Sequence, residues 1–244
     1  MPKTPDVSKI KAIFFDLDGT LTDYEASVDY AMTRLWEMLK DDCPLCLDAF
    51  LRAQWEFMAE MEDKEARGEV PRSFLKDRRA RNEGFLNRID PGLVEHFDDV
   101  GELYTRYREE GITLYPGTSD VLDELSRRFA LGVITEGNGP NQRMQLEKAG
   151  IARLFEHLVI SDELRLHKPD AALFRKACEM AGVRPKQVAL VGDRIDWDIA
   201  PAKGIGMLTV LSRQQKHYRI SQTGAVRPDF TITSVKKLLD IFCS

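Results

Sequence analysis

Residues 11–20 read Lys-Ala-Ile-Phe-Phe-Asp-Leu-Asp-Gly-Thr, an unbroken apolar run that ends in two aspartates spaced two apart and a glycine. Ala12, Ile13, Phe14 and Phe15 lack the polar alternation of a half-exposed strand, so they predict a strand covered on both faces, the habit of a parallel sheet. Asp16 and Asp18 then emerge at its carboxyl end, where open α/β sheets bind ligands. Gly19 allows the sharp turn that follows. Two neighbouring carboxylates can divide labour when their environments differ, one acting as an ionised nucleophile while the other carries a proton. A divalent cation would assist both. The plainer alternative is an Asp-Gly loop that only terminates a strand.

Downstream, the texture changes twice. Across residues 27–108 apolar residues recur at helical spacing: Met32, Leu35, Trp36 and Leu39 form one stripe, and Phe50, Gln54, Phe57, Met58 and Met61 a second. Residues 74–85 predict a basic third helix and residues 94–107 a fourth, with breaks at Pro44, at 68–71 and at 90–92. From Gly111 onward strands and helices alternate. Strands are expected at 131–134, 158–160, 188–191, 208–211 and 230–232, and helices at 119–128, 141–149 and 171–181. An N-terminal strand separated from its β/α series by a helical stretch predicts one parallel-sheet core, residues 1–22 and 111–244, with a helical domain, residues 23–110, inserted after the first strand. A linear arrangement would leave the first strand's edge groups unsatisfied.

Composition bounds the function. In 244 residues, 43% hydrophobic and 31% charged, there is ample material for a folded core. The net charge of −5 argues against general nucleic-acid binding. The polar start of the chain lacks the apolar segment of a signal peptide, and no apolar run reaches membrane-spanning length, so a cytoplasmic protein with no membrane partner is expected. Cys43 and Cys46 lack the two further ligands a zinc site needs and the preceding strand a thioredoxin-like motif needs, so these cysteines are expected to be incidental.

Three later strand ends carry polar groups. Thr135, Glu136 and Gly137 follow the 131–134 strand and offer a hydroxyl and exposed amides suited to an anion; a simple strand-to-helix connection is the alternative. Lys168 stands before Pro169, which is expected in the first turn of the next helix, and can neutralise phosphate charge unless it is merely solvated. Gly192-Asp193 ends the 188–191 strand, and Asp196 and Asp198 follow, one of them expected to cap a helix. Oxygen ligands of this kind suit Mg²⁺.

In this order the four signals resemble the haloacid dehalogenase superfamily across nearly the whole chain: Asp-x-Asp-Gly-Thr, a motif-two Thr, Lys before Pro, and Gly-Asp-x-x-x-x-Asp. The helical insertion is similar to that family's C1 cap. The resemblance implies a Rossmann-like α/β core with helices on both faces and an inserted helical cap. It further implies a Mg²⁺-dependent phosphatase in which Asp16 attacks phosphorus and Asp18 serves as acid and then base. Asp16, Asp193 and the Asp18 carbonyl would hold the metal, Gly19, Thr135, Glu136, Gly137 and Lys168 the phosphoryl group, and Asp198 would orient the metal's waters or Lys168.

Glu136 departs from the Asn that many relatives carry and adds negative charge; turned inward, it could bind a substrate ammonium or hydroxyl. The cap is expected to exclude water and select the leaving group. Arg72, Lys76, Arg78, Arg79 and Arg81 read as a solvated helix face, with a steering patch for anions as the alternative. The expected partner is a small phosphorylated metabolite, for a monomer or homodimer. A phosphomutase, a dehalogenase and a non-catalytic metal- or phosphate-binding protein are the rival readings; Asp18 speaks against the dehalogenase, which needs no leaving-group acid. The run 213–219 lengthens a late loop that could reach the cap or a partner, and has no firm account from sequence.

Overall fold

The computed structural model describes residues 5–216 and 226–243 and divides them into two compact units: residues 5–23, 113–215 and 226–243 form one, and residues 24–112 with Lys216 the other. Six parallel strands build the first: β1 (Ala12–Phe15), β2 (Ala130–Thr135), β3 (His157–Ile160), β4 (Val188–Gly192), β5 (Leu208–Ser212) and β6 (Phe230–Ile232), in the order β3-β2-β1-β4-β5-β6. This is the Rossmann-like α/β core that the alternation of strands and helices predicted. The chain direction across the sheet reverses at β1, which pairs β2 on one side and β4 on the other. Ligands of such sheets bind outside the carboxyl ends at that point.

All four β1 residues are fully buried, and they divide by the two-residue period of a strand. Ile13 and Phe15 join Val133, Val191 and Val210 in one core, while Ala12 and Phe14 join Ile134, Leu190 and Phe174 in the other. Gly132 pairs with Phe14 in register, and a Cβ there would lie 2.3 Å from the Phe14 ring, so the glycine makes room for the aromatic.

The second unit is helical: α1 (Tyr24–Leu39), α2 (Leu47–Ala66), α3 (Arg72–Lys76), α4 (Arg78–Ile89) and α5 (Val100–Glu110). The five apolar-stripe residues assigned to the second helix are all buried in α2. Trp55 and Trp36 anchor it further, their indoles donating to Asp29 Oδ1 and the Leu45 carbonyl. Two expected helices are interrupted. The 74–85 helix breaks at Asp77, whose backbone is extended and whose carboxylate accepts from the Arg79 and Ala80 N–H groups to cap α4. The 94–107 helix instead begins as a 3₁₀ segment, Pro91–His96, and restarts as α5 where Asp99 caps Glu102 N–H. In both places a capping aspartate outcompetes continued helical periodicity.

The remaining helices belong to the first unit: α6 (Thr118–Ser126), α7 (Gly139–Lys148), α8 (Ser161–Leu164), α9 (Ala171–Met180), α10 (Ala200–Gly204) and α11 (Lys237–Phe242). Pro169 stands before α9 rather than in its first turn, because Asp170 is the cap and accepts from Ala172 N–H. No helix among the described residues is long and apolar enough to cross a membrane. All four cysteines are free thiols. Of the 213–219 run, residues 217–219 lie outside the described residues.

The short edge strand β6 is tied to β5 by Asp229. Its carboxylate accepts from Lys203 Nζ at 2.8 Å, Thr209 N–H at 2.9 Å and the Thr209 hydroxyl at 2.8 Å. Burial acts upward on this carboxyl, but Lys203 and the Thr209 donors outweigh it and hold it below its ordinary value. A depressed folded-state pKa contributes stability that is present above about pH 4 and is lost as pH falls through the folded value. Asp229→Ala is therefore expected to lower unfolding free energy by about 1–3 kcal/mol at pH 7. Urea denaturation should show the difference from wild type shrinking towards pH 3; a constant difference would attribute the loss to packing alone.

Candidate active site

The ends of two neighbouring strands, β1 and β4, converge on one lysine. Asp16 continues β1, its N–H donating to the Val191 carbonyl of β4 at 2.9 Å, so the sheet ladder itself fixes where its side chain starts. Asp193 follows β4 directly. Lys168, only 3% exposed, donates to Asp16 Oδ1 at 2.5 Å and Asp198 Oδ1 at 2.7 Å. Carboxylate oxygens of Asp16, Asp193 and Asp198 all lie within 4.8 Å of one another.

Asp198 reaches this cluster from a π turn, Ile195–Ile199, and its other oxygen accepts from Arg194 N–H at 3.0 Å. It caps no helix, and neither does Asp196, which pairs with the Arg194 guanidinium at 2.8 Å; the capping expectation is corrected because Asp198's oxygens are directed at Lys168 and back at its own turn. The turn also explains Gly192: a Cβ there would meet Asp198 Cβ at 2.5 Å.

The electrostatics are one-sided. Burial pulls the Lys168 ammonium down, but the Asp16 and Asp198 carboxylates more than reverse this and keep it charged. Burial raises the Asp16 carboxyl far above the ordinary carboxylate range; Lys168 opposes the rise, and Asp198 and Asp193 add to it. Three acidic side chains buried beside one ammonium disfavour one another's ionised forms in a low-dielectric site. An all-oxygen donor set of this sign fits a hard divalent cation such as Mg²⁺.

The other sequence-selected residues surround this centre in different ways. Asp18 is half-buried, lies outside the carboxylate cluster, and accepts from the Thr22 hydroxyl at 3.4 Å. Gly19 adopts φ +83°, and a Cβ there would collide with the Gln215 amide and crowd Asp193 Oδ2. Thr135, buried at the end of β2, donates to Gln142 Oε1 at 2.7 Å, and Gly137 N–H donates to Ser161 Oγ at 2.9 Å. Glu136 turns to the lysine segment: one oxygen accepts the Lys168 backbone N–H and the other lies 3.3 Å from His167 Nδ1.

Sequence reasoning overlooked Gln142, Ser161 and Gln215. Ser161 directly follows β3, so the strand-end rule that found the others applied to it equally. Gln215 lies just beyond β5, and its Nε2 donates to Asp193 Oδ2 at 2.7 Å, while the neighbouring Gln214 Nε2 donates to the Thr20 carbonyl at 3.2 Å. Together they brace the β1 and β4 loops. Gln142 carried no signal beyond its place in α7.

A sequence profile of the haloacid dehalogenase-like hydrolases matches residues 10–206. The chain belongs to this family. The glyceraldehyde 3-phosphate phosphatase of Methanocaldococcus jannaschii is 30% identical over 242 residues, 95% of this chain and 96% of the relative. The pyrimidine 5'-nucleotidase PynA of Streptococcus pneumoniae is 28% identical over 94% of each chain. The magnesium-bound structure of the HAD hydrolase YfnB from Bacillus subtilis shares the fold, with a TM-score of 0.77 at 22% identity over 96% of this chain and 98% of that one. The protein is thus a HAD-like hydrolase.

The donor set can be tested without turnover. Millimolar Mg²⁺ is expected to raise the melting temperature of wild type, since ligand at a hundred times Kd adds about 2.7 kcal/mol to the folded state. Asp193→Asn should lose most of that gain. An equal gain in both proteins would remove Asp193 from the ligand set. Gly192→Ala should instead displace Asp198, leaving Lys168 with one carboxylate fewer and lowering the melting temperature in metal-free buffer.

Proposed function

We propose that this hydrolase is a phosphatase that releases inorganic phosphate from a small phosphorylated metabolite through a phosphoryl-aspartate at Asp16. The observation that carries the reading is the buried Lys168 ammonium shared by Asp16 and Asp198 with Asp193 alongside. Such a centre offers an oxygen nucleophile and a fixed cation together, and phosphoryl transfer requires little beyond positioning and charge stabilisation. Relatives that act on glyceraldehyde 3-phosphate and on pyrimidine nucleotides support the same bond class, since both substrates are phosphate monoesters.

Asp16, Asp193 and the Asp18 backbone carbonyl are the proposed holders of Mg²⁺, which would supply the positive charge that three carboxylates and a phosphoryl group lack. An Asp16 oxygen attacks phosphorus, and the ester oxygen leaves with the proton of Asp18. Water then attacks the phosphoryl-aspartate, Asp18 takes its proton, and phosphate departs with Asp16 restored. Lys168 neutralises the transferring oxygens, and Thr135 and the Gly19 and Gly137 backbone would donate to them on exchanging their present bonds to Gln142, Thr22 and Ser161. Asp198 and Glu136 are positioning residues, one holding the Lys168 ammonium and the other its backbone. The helical unit is read as the family's cap.

Asp16→Asn is expected to reduce phosphate release at least about 1,000-fold while preserving the circular dichroism spectrum. Retained turnover would remove the proposed nucleophile. Asp18→Ala separates the two chemical steps. With p-nitrophenyl phosphate, whose leaving group needs little protonation, a burst equal to the enzyme concentration should precede slow release, whereas an alkyl phosphate should give no burst. Equal losses with both esters and no burst would exclude Asp18 as the acid. Lys168→Ala should lower kcat/KM by about 100–1,000-fold and weaken inhibition by inorganic phosphate.

A further inference from the structure

The segment leaving β5 is tied to the sheet and to the β1 loop before it reaches the acids. Arg213 N–H donates to the Ile232 carbonyl of β6 at 2.8 Å. Gln214 engages both ends of its amide: Nε2 donates to the Thr20 carbonyl at 3.2 Å and to Ser212 Oγ at 3.0 Å, and Oε1 accepts from Val235 N–H at 3.1 Å. These bonds fix the main chain from which the next side chain starts.

That side chain goes to the acidic cluster. Gln215 Nε2 donates to Asp193 Oδ2 at 2.7 Å, and Asp193 is only 4% exposed. Gly19 forms the floor of the contact. A Cβ on Gly19 would lie 1.7 Å from Gln215 Nε2 and 2.9 Å from Asp193 Oδ2, so amide and carboxylate meet over backbone that a larger residue would obstruct. A carboxylate that gives one oxygen to a cation is aimed by the donor on its other oxygen, and such outer donors govern metal affinity. A primary amide suits this place because it donates without carrying charge. A lysine there would repel the cation, and a glutamate would add a further acid to Asp16, Asp193 and Asp198.

We infer that Gln215 is a positioning residue for the divalent cation: it fixes the Asp193 carboxylate for metal binding and acts through Asp193 rather than on the substrate. The inference rests on the Mg²⁺ part of the reading above, with Asp193 as a ligand, and on no step of turnover.

Calorimetric titration of full-length wild type, Gln215→Met and Asp193→Asn with MgCl₂ alone tests it. Methionine keeps the length of the side chain but removes the donor. Gln215→Met should bind Mg²⁺ about 10–100-fold more weakly than wild type. A merely structural role predicts instead a lower melting temperature in metal-free buffer with Mg²⁺ affinity unchanged. That result, with Asp193→Asn weakened, would overturn the inference and leave the metal site standing. No binding to wild type, or unchanged affinity in Asp193→Asn, would remove the metal reading and the inference with it. Phosphate release from p-nitrophenyl phosphate at varied Mg²⁺ then separates positioning from substrate contact. The Mg²⁺ concentration giving half-maximal rate should rise in Gln215→Met by the factor seen in the titration, with KM for the ester unchanged at saturating metal. A raised ester KM at unchanged metal affinity would make Gln215 a substrate contact and overturn the positioning role. Absence of release by wild type would defeat the phosphatase reading alone, and the titration would still decide Gln215.

Discussion

The α/β unit is organised around one ammonium group. Lys168 is buried between two carboxylates with a third close by, and every loop near it is arranged to keep it there. Removing a charged pair from water is expensive unless further hydrogen bonds complete it. Here those bonds extend outward: Asp198 is held by Arg194 N–H, the Lys168 backbone by Glu136, and Asp193 by Gln215. The lysine compensates only part of the negative charge. A cluster of acids beside one ammonium is a donor set that suits a hard cation, as a centre balanced by protein charges alone would not.

That arrangement follows from sheet order. β1 lies between β2 and β4, so residues 16, 135 and 193 leave adjacent parallel strands at the same end, although they are far apart in sequence. The apolar runs make the strands, and their burial on both faces forces polar groups to the strand ends. This is why the sheet core and the strand-end acids Asp16 and Asp193 were legible from residues alone. Asp16 and Asp193 were marked by an abrupt change from a continuous apolar run to acids or turn residues, a signal that needs no knowledge of the partner strand, whereas Lys168, in a polar stretch before Pro169, stood out only when the four motifs were read together.

Where the chemistry depended on side-chain direction, sequence said less. Asp198 and a helix-capping aspartate look alike in a linear reading; only the π turn at 195–199 aims one at Lys168. Glu136 was open in either direction, and its bond to the Lys168 N–H depends on a segment thirty-two residues later. Gln215 lies in a polar run with no periodicity, yet contacts both Gly19 and Asp193. In the helical unit, periodicity found the faces but not the interruptions. Asp77 and Asp99 cap new helices inside stretches whose spacing alone favoured continuity.

Charge is placed out of water in both units, and burial changes what it does. In the α/β unit carboxylates outnumber ammonium groups, and in the helical unit guanidinium groups gather on tyrosine rings. Exposed charge of the usual kind is represented by the Arg79–Glu83 pair that a few residues of α4 present to solvent. An exposed pair of that sort contributes little and constrains little. A buried cluster of acids such as Asp16, Asp193 and Asp198 is different, because folding must hold it in place against its own repulsion, which a cation would relieve. Pre-organisation of this kind is how a hydrolase makes a dilute, strongly hydrated phosphate ester exchange water for protein contacts.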